Sequence, residues 1–274
     1  MSFIHNHILI RRGGLEPETA LTLARMTVKP SIEDAFIYDA FIKEIKTGHA
    51  LALGANNLST YFRLLQLSAC HDLQVSLLNW ATTGFDGIFR SSYNVAGTGL
   101  VHTPYKYCSS ISATGHIEFA TAIFVDSYRT NCTFGLYAYN DPGTIWAVGS
   151  AQTNGNTNVL ILRSQTVNTN FQCRINTPTI LTVTQPLGAA MLYATKRTGN
   201  TLTGWTNTTQ RGPLTVSDLG AINPVPLGCH GEIRNGDVVG ANTGAQFSCH
   251  FYGNYSIDLA VMKSAIENYI AKYP

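Results

Sequence analysis

From about Phe85 onward the chain is built of short alternating runs, broken every few residues by Gly, Asn and Pro, and that texture leaves little room for helix. In residues 169–175, Phe171, Cys173 and Ile175 alternate with Asn170, Gln172 and Arg174; in 246–252, Phe247, Cys249 and Phe251 alternate with Ser248, His250 and Tyr252. A period of two with one dry and one wet face is the pattern of a half-buried strand. Similar runs fall near 116–126, 132–139, 144–149, 158–163, 189–196, 201–207 and 237–240. Turn clusters separate them, among them Asn140-Asp141-Pro142-Gly143, Thr153-Asn154-Gly155-Asn156, Thr198-Gly199-Asn200 and Arg234-Asn235-Gly236-Asp237. Many short strands with no helices between them predict an antiparallel β-sandwich or barrel over residues 85–274.

The head of the chain is different. Residues 1–47 hold 12 of the 34 charged side chains, whereas between Asp141 and Lys196 only Arg163 and Arg174 occur. Residues 1–30 read as an arm or attachment segment with a short helix from Pro17 to Ala24. Residues 31–84 read as a helical linker. Ser31 is placed to cap a helix whose first turn carries Glu33 and Asp34, where the helix dipole favours acids; Ile37, Phe41 and Ile45 follow at i+4 spacing, and Gly48 stops it. Residues 58–69 are apolar but satisfy neither helical nor strand period. The chain closes with a helix from Ile257 to Lys272, whose stripe Leu259, Met262, Ile266, Tyr269 and Tyr273 is read as docking on its own domain.

Composition narrows the function classes. The 274 residues carry a net charge of +2, and only 12% are charged; polarity comes from 20 Asn, 31 Thr and 17 Ser. Such a surface releases few counterions, which argues against a nucleic-acid binder or an anionic-membrane binder. No apolar run reaches the ~18 residues that membrane insertion needs, and Arg11-Arg12 follow the short run Ile8-Leu9-Ile10, the reverse of a secretory signal. The chain is therefore expected to be made and folded in cytosol. Its six cysteines lack any CxxC spacing and read as reduced, buried apolar side chains.

Chemistry is sparse. Outside the head only Glu118, Glu232 and Glu267 are glutamates, and none has an acidic neighbour two or four residues away, as a sandwich glycosidase would need. Nucleophile motifs and phosphate-binding glycine loops are missing. His5-Asn6-His7, Cys229-His230 and Cys249-His250 invite a metal reading, but adjacent strand residues point to opposite faces, so each Cys-His pair predicts a buried Cys beside an exposed His. No catalytic residue, metal site or cofactor is expected. Carbohydrate binding asks for less, namely an aromatic platform with neighbouring amides, carboxylates or guanidinium groups. Three loops could supply it: Tyr139-Asn140-Asp141 with Trp146, Trp205-Thr206-Asn207, and Arg234-Asn235-Gly236-Asp237. Each also has a plain reading, with the tryptophans as strand-face aromatics and Asn-Gly as turn chemistry.

The segment Leu23-Ala24-Arg25-Met26-Thr27-Val28-Lys29-Pro30, the helix Ile32 to Lys46, and Leu64 to Gln74 with Leu77-Leu78-Asn79-Trp80 resemble a module of tailed-bacteriophage virion proteins, in which a helical lead-in precedes a concanavalin A-like (laminin-G-like) jelly-roll. Tyr193 to Asn200, Gly204-Trp205-Thr206-Asn207 and Phe251 to Tyr273 follow the same plan, so the resemblance spans about 23–273. It implies a non-enzymatic virion structural protein of the tail, fibre, baseplate or head surface, assembled in the host cytoplasm. Its partners would be other virion proteins, copies of itself, with a trimer as the guess from fibre symmetry, and host-surface glycan. Arg11 and Arg12, outside the resemblance, are assigned to attachment. The alternatives are a glycan-degrading depolymerase on the same fold and a pure capsid or tail cement protein.

Overall fold

The computed structural model describes residues 14–92, 95–96, 99–110, 115–140, 147–151, 160–166, 170–184, 190–218, 220, 226–234, 237–239 and 244–273. Two sheets face each other, and a layer of three helices covers the outer side of one of them. In the covered sheet the order is β14 (Thr209–Thr215), β13 (Thr201–Thr206), β12 (Met191–Thr198), β7 (Asn131–Asn140), β18 (Gln246–Asn254), β5 (Tyr107–Ser110) and β4 (Leu100–Thr103), all antiparallel. The free edge of β18 is shared: β5 pairs with its start at Gln246 and Phe247, and β1 (Phe62–Leu67) pairs with Cys249 to Gly253. Residues 58–69 thus contribute a sheet strand upstream of Phe85.

The second sheet runs β11 (Leu181–Thr184), β10 (Asn170–Ile175), β9 (Leu160–Thr166), β8 (Ala147–Ala151), β15 (Leu227–Cys229), β6 (His116–Phe119), β2 (Ile88–Ser92) and β3 (Val95–Ala96). The hairpin of β16 (Glu232–Arg234) and β17 (Asp237–Val239) joins it through a parallel pairing of β16 with β8. The body is therefore the antiparallel β-sandwich that the alternation predicts.

The helices are α1 (Pro17–Arg25), α2 (Ile32–Gly48) and α3 (Leu259–Ile270). Ser31 caps α2 by accepting the Asp34 N–H at 3.0 Å, and Asp258 caps α3 by accepting from Ala260 and Val261. Two cores result. One lies between helices and sheet and contains Tyr38, Phe41, Ile45, Leu65, Leu67, Trp80, Phe251, Met262, Ile266 and Tyr269. The other lies between the sheets and contains Leu64, Phe134, Leu136, Phe171, Leu202, Phe247 and Tyr252. Each of the larger apolar side chains contributes about 1.5–3 kcal/mol by leaving water.

An ionic clamp locks the helix layer. Lys46 of α2, fully buried, donates to Glu16 Oε2 at 2.6 Å and Glu18 Oε2 at 3.1 Å. The same carboxylates accept backbone N–H groups of Gly54, Asn57 and Leu58. These charges are buried but paired and hydrogen-bonded, the condition under which burial is tolerated. The C-terminus is tied down as well: Tyr273 stacks on Tyr105 with ring centroids 3.9 Å apart, and both hydroxyls donate to Asp34.

Candidate functional site

The helix layer covers the outer face of β12 at Leu192 and Ala194, both fully buried, and beyond them Lys196, Thr203, Trp205 and Gln210 form a ledge. Alternation on β13 decides what stands there. Leu202 and Gly204 face inward; a Cβ at Gly204 would meet Val183, Cys173 and Leu181 of the opposite sheet. Trp205 therefore faces outward, half-buried, with its flank against the helix-side core. Its cross-strand partners are Ala194 on β12 and Gln210 on β14. Ala194 is too small to cover the indole, and Gln210 is exposed.

Lys196, two residues along β12 on the same face, holds its ammonium 5.9 Å from the Trp205 ring centroid, within cation–π range. Burial of its stem pushes the Lys196 pKa down, and Asp258 opposes that shift. Trp205 Nε1 donates to Thr203 Oγ1 at 3.0 Å, which fixes the indole plane. The ledge thus combines a rigid aromatic wall, a cation, an amide and the Thr203 hydroxyl. The exposed strand β14 borders it, with Pro213 tolerated at the sheet edge. On the helix side, Tyr137 donates to Glu267 at 2.9 Å and Lys263 donates to the same carboxylate at 2.6 Å.

The residues expected at a sugar site are divided between the two sheets. Trp205 and Asn207 are at the ledge, but Asn207 holds its turn: its N–H donates to the Leu192 carbonyl and its Oδ1 accepts the Leu192 N–H. Tyr139 and Asn140 end β7; Tyr139 packs against Tyr107 at 5.2 Å and Asn140 is exposed. Arg234 and Asp237 pair across the β16–β17 hairpin in the other sheet. Asp141, Trp146, Asn235, Arg11 and Arg12 lie outside the described residues. Lys196 and Gln210 were not singled out by sequence, because only strand register brings them beside Trp205.

The two Cys-His pairs correct an expectation. Cys229, His230, Cys249 and His250 are all buried, His230 at 1% and His250 at 0% exposure, so neither imidazole is a surface group. Strand β18 is covered on both faces: Cys249 faces the helix layer and His250 enters the space between the sheets. There His250 Nδ1 donates to Gln66 Oε1 at 2.8 Å, and the Gln66 amide donates to Ser68 Oγ and the Ser76 carbonyl. Ser68 Oγ, having accepted that bond, has its own proton to donate to His230 Nε2 at 2.9 Å. The two imidazoles meet edge to face with centroids 4.8 Å apart. Burial, with His116 nearby, pushes the His230 pKa down to about 3, and burial lowers that of His250. Both are neutral members of a buried hydrogen-bonded chain. Among the described residues no group of three or more His, Cys, Asp or Glu is arranged to hold a metal.

No protein-family model matches the chain, and no curated protein is similar to it. Solved structures place its fold among antiparallel β-sandwich domains, consistent with a concanavalin A-like jelly-roll. Domain 4 of AbnA, a GH43 extracellular arabinanase from Geobacillus stearothermophilus solved with arabinotriose, superposes with a TM-score of 0.50 at 12% identity, over 74% of this chain and 99% of that one. The binding domain of botulinum neurotoxin DC in complex with SialylT gives 0.51 at 8% identity, over 77% of this chain and 52% of that one. The chain spans only 26% of a leech intramolecular trans-sialidase, with a TM-score of 0.37 at 14% identity over 58% of this chain. At these identities the likeness establishes the fold.

Proposed function

We propose that this chain is a non-enzymatic, lectin-like module that binds glycan at the Trp205 ledge and is displayed on a bacteriophage particle. The observation that carries the reading is Trp205 itself, an indole held rigid on a sheet face beside a cation and an exposed amide. An aromatic face takes the apolar side of a sugar ring, while Lys196 and Gln210 suit its hydroxyls or a carboxylate. The arabinotriose complex of a domain with this fold supports the ligand class. A binding rather than cleaving role is favoured by the state of the glutamates: Glu118 is paired with Arg90, Glu232 is 1% exposed, and Glu267 is bonded to Tyr137 and Lys263.

The virion setting rests on the sequence resemblance of residues 23–273. Weak sites suffice there, because several copies binding together gain effective concentration; a trimer is the assembly we propose, with other virion proteins as neighbours. The test is a glycan array probed with the purified chain and with Trp205→Ala. Binding to arabino- or sialo-oligosaccharides that falls at least tenfold in the variant supports the site; an array without signal contradicts it. Antibody to the chain should decorate phage particles in electron micrographs.

A further inference from the structure

The covered sheet carries a second aromatic platform, on β5 and β7, across the buried middle of the sheet from Trp205. In β5, Cys108 stands opposite Phe247, which faces the space between the sheets, so its neighbours Tyr107 and Ser109 face the other way. Ser109 lies between Gln246 of β18 and Val101 of β4, its two cross-strand partners. Tyr139 joins them from β7. Asn140 pairs with Gln246 and Ala138 with Phe247, which makes Tyr139 the extra residue of a β-bulge, a feature that re-aims a side chain. Its ring meets that of Tyr107 with centroids 5.2 Å apart and planes tilted by 38°. We infer that this face is a second glycan site, one that takes neutral oligosaccharide and works independently of the Trp205 ledge.

Three observations point to that ligand. The first is access with rigidity. Val101 is 46% exposed and Asn140 is exposed, while Tyr107 and Tyr139 are half-buried against each other, so packing fixes the rings and solvent still reaches them. The second is spare hydrogen-bonding capacity. Among the described residues, the hydroxyls of Tyr107 and Tyr139 and the side-chain amides of Asn140 and Gln246 have no hydrogen-bond partner. Hydroxyls and amides both donate and accept, which matches the hydroxyls around a sugar ring whose apolar side rests on an aromatic face.

The third is charge. None of Val101, Tyr107, Ser109, Tyr139, Asn140 and Gln246 is ionised at neutral pH, so a ligand carboxylate would find no cation among them, in contrast to the ledge with Lys196. An apolar protein surface laid on this face would strip water from the hydroxyls and amides without replacing its hydrogen bonds. In the sheet order β5 lies four strand spacings, about 19 Å, from β13. The two sites therefore do not compete, and a branched or repeating glycan that engages both gains effective concentration.

The test uses the full chain on an array of neutral and acidic oligosaccharides, with Trp205→Ala as the background. Neutral oligosaccharides whose signal survives Trp205→Ala should lose it at least tenfold when Tyr107→Ala is added. Val101 is exposed on an edge strand, so Val101→Glu should keep the melting temperature, weaken the same signals at least tenfold, and leave those that depend on Trp205 unchanged. These losses support the platform whatever becomes of the ledge. If no neutral signal survives Trp205→Ala, or if the surviving signals persist in both Tyr107→Ala and Val101→Glu, the inference is overturned while the ledge reading stands. A changed oligomeric state in Val101→Glu with sugar binding intact would overturn it in favour of a contact between copies of the chain.

Discussion

The buried imidazoles make stability depend on pH in a way that can be worked out. His230 has an ordinary pKa of 6.5 when unfolded and about 3 when buried between the sheets. A group whose folded pKa is depressed in this direction is neutral in both states above pH 6.5, so its contribution is intact there. As pH falls below 6.5 the unfolded chain takes up a proton that the folded chain refuses, and stability drops until the folded pKa is reached. Between pH 7.5 and 5.0 that linkage removes about 2 kcal/mol for His230 alone, and the full loss below pH 3 approaches about 5 kcal/mol. His250 is shifted in the same direction by burial and adds to the slope. Urea unfolding at pH 7.5, 6.0 and 5.0 reads the effect directly. His230 sits at φ +66, a conformation that Asn adopts more readily than most residues, so His230→Asn is the variant of choice; it should lose the His230 share of the slope. Stability flat from pH 7.5 to 5.0, or an unchanged slope in His230→Asn, would refute the reasoning.

Two further substitutions test the packing. Lys46→Met leaves Glu16 and Glu18 buried without their cation, although their backbone N–H bonds remain, and should cost about 3–5 kcal/mol in chemical denaturation. Gly135→Ala places a Cβ against the Phe251 ring where the outer face of β7 is covered; overpacking of this kind should cost about 1–3 kcal/mol and lower the melting temperature without changing the far-ultraviolet dichroism.

How much was legible in the sequence depended on how many faces of each element are covered. Helix α2 begins at Ser31 as its capping pattern predicts, and the stripe Leu259, Met262, Ile266 and Tyr269 is buried as a set. Strand β10 keeps its alternation at its ends, where Asn170 and Arg174 are more exposed than Phe171, Cys173 and Ile175, but Gln172, read as a wet-face residue, is buried and donates to Thr182 Oγ1. Strand β1 was unreadable for a physical reason: Leu65 and Leu67 enter the helix-side core while Leu64 and Gln66 enter the space between the sheets, so both faces are buried and no dry–wet alternation survives. The same double cover hid the fate of His250. At the ledge, Trp205 was visible as an aromatic in a polar context, but Lys196 and Gln210 become its neighbours only through the register that sets Ala194 and Gln210 opposite it. Register across a hairpin is set by its turn, so the Thr198-Gly199-Asn200 cluster between the two runs was the signal that could have placed Lys196 near Trp205.

The most direct test of the ledge is a crystal structure of this chain with arabinotriose or a sialylated trisaccharide at millimolar concentration. We predict a sugar ring stacked on the Trp205 indole, with Lys196 or Gln210 within hydrogen-bonding distance of its hydroxyls or carboxylate. A ligand seated on the β16–β17 hairpin, or a Trp205 face left bare in crystals of a chain that binds the same sugar in solution, would contradict it.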